Sequence, residues 1–308
     1  MKRINFSVIT MLFIIITFLA LVAGWFYILL SPGCYFDIFD KYVEDITPAK
    51  NSSAFGHFDV QEYDNKKYFI DGSSDLCTMK DQKKKVIMDD VEYFLFFEDE
   101  LVYALLDDEK NVYSENMQTK KKSKVAHVSA QIFLTLDNFL YIYTKDNYLY
   151  KYDRNWKEME AVSIEKKGYD GCFERAYAAD GRIVFYTEDG DSDVYTYDAT
   201  TCRLEEVTVP GESETEFFED TDIIQWEGEI YYMLCCYGDG DKHNSMTRRE
   251  CAENGIYRLD AAGRKFLKVS DRVGDFIIVN NELSVVVDRF FGTTYRVKKI
   301  DFFESNKK

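Results

Sequence analysis

A unit of two alternating apolar segments joined by a polar dipeptide recurs six times, and this repeat constrains the fold more than any other feature of the chain. The copies read FDVQEY-DN-KKYFI, YFLFFE-DE-LVYALL, IFLTL-DN-FLYIYT, RAYAA-DG-RIVFYT, DIIQW-EG-EIYYMLCC and DFIIV-NN-ELSVVV. Period-two alternation sends successive side chains to opposite faces of a pleated strand. Pairs such as Asp-Gly and Asn-Asn tolerate the positive φ of a tight two-residue turn, so each copy reads as a β-hairpin. The expected turn pairs are Asp64-Asn65, Asp99-Glu100, Asp137-Asn138, Asp180-Gly181, Glu227-Gly228 and Asn280-Asn281, spaced 35, 38, 43, 47 and 53 residues apart.

A third patterned segment follows most hairpins: YLYKYD ending at Asp153, VYTYD ending at Asp198 and IYRLD ending at Asp260. A weaker fourth follows in turn, as at residues 265–269. Four antiparallel strands per unit of about 40 residues describe a β-propeller blade. No segment after residue 55 sustains a 3.6-residue apolar period, which disfavours a helical array. The expected fold is all-β: a β-propeller of about six four-stranded blades over residues 56–303, with a short tail at 304–308. The sixth unit offers little beyond 294–298 and 300–303. The ring therefore closes with a strand borrowed from the N-terminal segment or with an incomplete last blade. A two-sheet sandwich, which also uses many short strands, is the alternative.

The run Tyr141-Ile-Tyr-Thr-Lys-Asp146, followed by Tyr148-Leu-Tyr-Lys-Tyr-Asp153, resembles the six-bladed propellers of the YWTD/LDL-receptor type, in particular bacterial membrane-anchored relatives of unassigned function. The segments 183–189, 230–233 and 256–263 repeat the pattern, although the Tyr-Trp-Thr-Asp tetrad itself never occurs. Such propellers are generally binding platforms, and the resemblance implies that here. It transfers no catalytic residue.

Residues 6–30 carry no charge. As a helix at about 1.5 Å per residue they would span roughly 37 Å, enough to cross a hydrocarbon core of about 30 Å. This apolar run is longer than the h-region of a cleaved signal peptide, and the Ser-Pro-Gly-Cys34 stretch lacks the Leu of a lipoprotein box. The expectation is a single-pass transmembrane signal anchor at 6–30, with a cytoplasmic tail at 1–5 and a juxtamembrane connector at 31–55. Lys2 and Arg3 precede the run while Asp37, Asp40, Glu44 and Asp45 follow it, which places the propeller outside the cytoplasm.

The chain sets 38 Lys+Arg against 55 Asp+Glu, a net charge of −17, which argues against nucleic acid as a partner. Its 16% aromatic content suits packed strands and excludes a disordered chain. The histidines are His57, His127 and His243, and the first and second alternate with apolar neighbours as strand residues do. No nucleophile elbow or phosphate-binding loop is present. Asp189-Gly-Asp-Ser-Asp193 has a spacing seen in calcium loops, but Val194 stands where that loop needs Gly and Thr200 where it needs Glu. It reads as a solvated turn. No catalytic residue, cofactor or metal is expected.

The cysteines, Cys34, Cys77, Cys172, Cys202, Cys235, Cys236 and Cys251, contain no C-x-x-C pair. They read as small buried hydrophobes, and the disulfide to test is Cys235 or Cys236 with Cys251. The longest departure from the repeat, Gly238–Asn254, falls between the second and third strands of the fifth unit. Its Asp239, Asp241, His243, Arg248 and Arg249 are the candidate partner-binding residues, because loops on a rigid scaffold carry recognition and Arg suits carboxylate or phosphate. The basic runs at Lys83–Lys85 and Lys120–Lys124 belong to outer parts of blades and read as solvated turns, with anionic polymer or lipid headgroups as the functional alternative. Trp156 and Trp226 read as core or rim packing. Together these features point to a membrane-tethered, non-catalytic binding or scaffold module for a protein or cell-surface polymer. The alternative is a glycan-active enzyme with paired carboxylates in the channel.

Overall fold

Six antiparallel sheets stand around a common axis in the computed structural model, which describes residues 43, 45–48, 60–80, 83–164, 172–187, 194–209, 218–237, 254–288 and 295–303. Blade 1 comprises β1 (Gln61–Tyr63), β2 (Lys66–Ile70), β3 (Leu76–Lys80) and β4 (Lys83–Met88), paired in that order. Blade 2 comprises β5 (Val91–Phe97), β6 (Glu100–Leu105), β7 (Val112–Asn116) and β8 (Lys122–Ala126). Blade 3 holds β9 (Ala130–Leu136), β10 (Phe139–Thr144), β11 (Tyr148–Tyr152) and β12 (Glu158–Ser163). Blade 4 holds β13 (Arg175–Ala179), β14 (Arg182–Tyr186), β15 (Val194–Asp198) and β16 (Arg203–Val207). Blade 5 holds β17 (Phe218–Trp226), β18 (Glu229–Tyr237), β19 (Gly255–Leu259) and β20 (Phe266–Ser270). Blade 6 holds β21 (Asp275–Val279), β22 (Glu282–Asp288) and β23 (Tyr295–Lys299), three strands among the described residues.

First strands lie innermost and side by side from blade 1 round to blade 6, β1 by β5, β5 by β9, β9 by β13, β13 by β17 and β17 by β21. The fold is therefore a six-bladed β-propeller. One face carries the first hairpin turns and the turns between third and fourth strands, and we term it the hairpin face. The opposite, connector face carries the turns between second and third strands and the links from blade to blade.

Backbone geometry explains the repeat. Asp64-Asn65, Asp137-Asn138, Asp180-Gly181, Glu227-Gly228 and Asn280-Asn281 all have positive φ at both positions, the geometry of a type I′ turn that matches strand twist. The second hairpin departs from expectation. Its turn is Glu98-Asp99 rather than Asp99-Glu100, with Glu98 at φ 54° and Glu100 already paired with Phe97 in the ladder. In blades 2 to 5 a residue at the end of the third strand closes the next turn. Asn116, Asp153, Asp198 and Asp260 each accept two backbone amides two to five residues on, at 2.7–3.4 Å.

The core is divided into six layers, one between each pair of adjacent blades. Between blades 3 and 4, Tyr141, Tyr143 and Leu149 meet Ile183, Phe185 and Tyr195, with Phe173 stacked on Phe185 at 4.5 Å. Wedge-shaped gaps between twisted sheets need large side chains, which accounts for the aromatic content. The last layer closes the ring. Val43 and Ile46, each 1% exposed, pack with Phe69, Cys77 and Met79 of blade 1 and Ile277 and Val286 of blade 6. Ile46 forms an antiparallel bridge with Val279, and Thr47 N donates to Ile278 O at 2.8 Å. The N-terminal segment thus supplies a closing bridge beside a three-stranded last blade, and part of the expected connector belongs to the propeller. Residues 6–30 lie outside the described residues, among which no helix is long and apolar enough to cross a membrane.

Candidate functional site

Innermost strands have no sheet partner on the side facing the channel, so their backbone groups need other partners. Side chains from neighbouring blades supply them. Arg175 pairs with Asp222 and also donates to Ile223 O at 3.3 Å. Tyr177 OH donates to the same carbonyl at 3.1 Å, and Gln225 donates to Ala178 O at 2.5 Å. Asp222 accepts Phe276 N at 2.9 Å, which carries the chain of bonds into blade 6. Gln61, 3% exposed, accepts Phe96 N from blade 2 at 3.5 Å. Arg175, Tyr177, Asp222, Gln225 and Gln61 on the inner strands are thus committed to holding blades together.

The connector face of blades 2 and 3 gathers a different set. Lys145, in the turn between β10 and β11, lies 3.5 Å from Glu92 on β5 and 3.3 Å from Glu109 in the turn between β6 and β7. Two features hold it in place: its amide donates to Ser129 O at 3.0 Å, and the Cys172 thiol donates to its carbonyl at 2.9 Å. Burial pulls the Lys145 pKa down, but Glu92 and Glu109 outweigh it and set the ammonium above the ordinary lysine value. Burial, then the neighbouring Glu92, raises the Tyr93 phenol. Glu92 Oε2 and, on β9, Gln131 Oε1 are buried acceptors without a hydrogen bond. The charged bridge with the unsatisfied Glu92 Oε2 is suited to a ligand carrying donors, such as hydroxyl, amide or ammonium groups.

A second recess lies on the hairpin face at the ring seam. It is an open depression of about 540 Å³ lined by Thr47, Pro48, Gln61, Glu62, Asp64, Asn65 and Phe96. Phe96 stacks on Tyr63 with centroids 5.0 Å apart and forms its apolar wall. Its volume falls within the range of small-molecule sites, and its two carboxylates favour a cationic group.

The residues singled out by sequence are distributed differently. Asp239, Asp241, His243, Arg248, Arg249, Cys251 and the acidic turn at 189–193 lie outside the described residues, as do Cys34 and His57. The Cys235 side chain is 1% exposed in the layer between blades 5 and 6, while nothing is described of the Cys236 side chain. His127 is not a strand residue: it follows β8, is exposed, and sits 2.8 Å from Asn111 Oδ1. Trp156 packs edge-on against Phe97, and Trp226 stacks on Phe302 while donating to Asn281 O at 3.2 Å. Among the described residues, no three His, Cys, Asp or Glu side chains are placed to hold a metal. Sequence reasoning missed Glu92, Glu109 and Lys145. Each looks like an ordinary turn or strand-start residue, and only the ring brings them together.

No protein-family model matches the chain, and no curated protein matches it. Solved structures do resemble it. The extracellular domain of a putative hybrid two-component system from B. thetaiotaomicron is 9% identical, with 84% of this chain and 36% of that chain covered and a TM-score of 0.49. BamB from Moraxella catarrhalis is 8% identical over 73% of this chain and 68% of that one, at a TM-score of 0.42. The N-terminal domain of Nup159 is 13% identical over 81% and 70% of the two chains, at a TM-score of 0.40.

Proposed function

We propose that this protein is a membrane-tethered, non-catalytic β-propeller, displayed outside the cytoplasm, that binds a protein or cell-surface polymer. The kinship to YWTD-type propellers belongs to the same reading. The observation that carries it is the use of one inner-strand carboxylate, Asp222, whose two oxygens are committed to Arg175 and to the Ile223 and Phe276 amides. A glycosidase needs two carboxyl groups facing a substrate across the bond to be cleaved. Asp222 instead serves as a strut between blades. The connector face, with its Lys145 bridge and the strand ends that flank residues 238–254, is the recognition side.

In-cell crosslinking of tagged full-length protein, followed by mass spectrometry, tests this reading. The controls are a form lacking residues 238–254 and a Lys145→Glu variant, both first checked for an unchanged unfolding transition. The expected result is one or two partners captured by the intact chain and lost from at least one folded control. Capture that is identical in all three forms would overturn the assignment of the face. Release of reducing ends from cell-surface glycan, abolished by Asp222→Asn, would overturn the non-catalytic role.

A further inference from the structure

The outermost strands differ in charge around the ring. β23, β4 and β8 are the outermost described strands of blades 6, 1 and 2, which are consecutive. Their sequences, YRVKK, KKKVIM and KSKVA, hold eight basic residues and no acidic one. β12 and β16, the outer strands of blades 3 and 4, read EMEAVS and RLEEV, with four carboxylates against one Arg. Charge on an edge strand discourages pairing with another sheet, and either sign serves that purpose. Edge protection therefore explains why these strands are charged but not why the signs are segregated in a chain of net charge −17.

The lysines of these strands are open to solvent. Lys83, Lys85, Lys121 and Lys298 are exposed and form no ion pair among the described residues. Lys84, Lys120, Lys122 and Lys299 do reach Asp71, Glu115 or Glu282, but their side chains stay 44–63% exposed and keep a face toward solvent. On β4 the lysines run directly into Val86 and Ile87, 42% and 40% exposed. Exposed aliphatic residues beside lysine are the composition of a surface that sits at a headgroup boundary.

The position of the seam gives this half-rim its occupant. The chain joins the ring between blades 6 and 1, in the middle of the basic half, where Ile46 O accepts Lys67 Nζ at 2.6 Å and Asp45 O accepts Asn280 N at 2.8 Å. Asn280 belongs to a hairpin turn, so the join lies toward the hairpin face. Lys80, Lys83 and Lys120–Lys122 flank turns on that same face. Residues 31–42 link the apolar run 6–30 to Val43, and 12 extended residues reach at most about 40 Å. A propeller tethered so closely at its seam meets the bilayer first with the blades that flank the seam.

We infer that the basic rim of blades 6, 1 and 2 lies against the anionic lipid surface of the membrane that holds residues 6–30, an inference that rests on the membrane-anchor reading above. Lysines near an anionic leaflet are attracted to it within a Debye length, whereas the acidic rim of blades 3 and 4 is repelled. Together these fix which edge of the ring faces the bilayer and leave the channel mouths accessible from the side.

The test uses the full chain in nanodiscs of pure phosphatidylcholine and in nanodiscs containing about 30% phosphatidylglycerol, enough to give a strongly anionic surface. Lysine acetylation rates are read by mass spectrometry. Lys83, Lys85, Lys121 and Lys298 are expected to react about threefold or more slowly in the anionic discs and to recover at high salt, while Lys157 of blade 3 reacts equally in both. Equal rates at all five sites in the two discs overturn the docking and leave the anchor standing. Failure of the protein to co-elute with either disc overturns the anchor and the docking together. Protection seen on intact cells but in neither disc assigns the rim to a cell-surface polymer or protein instead, and so overturns the lipid assignment.

Discussion

Arg175 of blade 4 and Asp222 of blade 5 form an ion pair across the channel wall, and Asp222 passes the connection on to the Phe276 amide of blade 6 at 2.9 Å. Three blades are thus joined through one carboxylate whose side chain is 12% exposed. Asp222→Ala removes the carboxylate partner of both Arg175, which keeps only neutral acceptors such as Ile223 O, and the Phe276 N–H. Loss of charge-assisted bonds with an orphaned partner costs about 2–3 kcal/mol. At roughly 2–4 °C per kcal/mol for a domain of this size, the melting temperature should fall by about 5–10 °C. Asp222→Asn retains an acceptor and should lose less. Equal melting of both variants and the parent, by calorimetry, would remove the strut from the account.

The turn-closing aspartates make stability sensitive to acid. Hydrogen bonds from the Lys157 and Asn155 amides hold Asp153 below the ordinary carboxylate pKa, and the Thr200 and Thr201 amides do the same for Asp198. At Asp260 the Arg264 amide is the main cause. Burial would raise Asp71, but Lys84 and the Asp75 and Ser73 amides outweigh it. A carboxyl whose folded pKa is depressed stabilises the fold above its unfolded pKa of about 3.9, and that contribution is lost as pH falls through the folded value. The melting temperature should therefore be nearly flat from pH 7 to 5 and drop increasingly below about 4. A variant with Asn at 153, 198 and 260 keeps an acceptor at each turn and should show a shallower acid limb. A parallel acid limb in that variant would assign the effect to other groups.

How far this architecture was legible follows from which constraints are local. The hairpins could be read because a two-residue turn demands positive φ, and Asn, Asp and Gly advertise it within the dipeptide. The Asp at the end of the third strand in blades 3, 4 and 5 was visible for the same reason: its partners are two to five residues away. Glu98 was misread because Glu seldom takes the left-handed region, so the dipeptide carried no signal. The seam was only half legible, since Val43 and Ile46 are two apolar residues in a short stretch and their burial depends on blades 6 and 1 meeting. The bridge from Lys145 to Glu92 and Glu109 was not legible at all. Alternation tells which face of a strand is buried, not which blade lies opposite.

Cysteine reactivity separates buried from surface thiols. Cys77 is fully buried beside Asp71, and burial together with that carboxylate pushes its thiol up to about 12. Almost no thiolate is present at pH 8, and the thiolate is the nucleophile. Cys202 is exposed, with its thiol 3.2 Å from Glu160. Iodoacetamide at pH 8 should modify Cys202 in the native protein and Cys77 only after denaturation. Comparable native modification at both positions, by peptide mapping, would contradict the burial assigned to Cys77.

Ring closure rests on Ile46. Its side chain is 1% exposed between blades 6 and 1, and truncation to Ala removes buried methylenes at a cost of about 2–4 kcal/mol. Because the seam joins the first blade to the last, the loss should appear first there. Hydrogen exchange in Ile46→Ala should accelerate at Phe69 and Ile277 before it does so at Phe133 or Phe185. A uniform acceleration around the ring would mean that the seam is no weaker than the other layers.

Glu98 offers a gain rather than a loss. It holds φ 54° in the hairpin of blade 2, where the corresponding residues of the other five turns are Asp, Asn or Glu, each followed by Asn or Gly. A non-glycine residue in the left-handed region is strained by about 1 kcal/mol, and Asn relieves part of that strain with its short polar side chain. Glu98 is exposed, so its replacement leaves no cavity. Glu98→Asn should therefore raise the melting temperature by about 1–2 °C, the equivalent of roughly 0.5 kcal/mol. The matching control is Asn138→Ala in blade 3, at φ 64°, which places a side chain without that tolerance in the same geometry and should lower it by a similar or larger amount. If Glu98→Asn lowers the melting temperature while Asn138→Ala also does so, then Glu98 supports the fold through something other than its backbone.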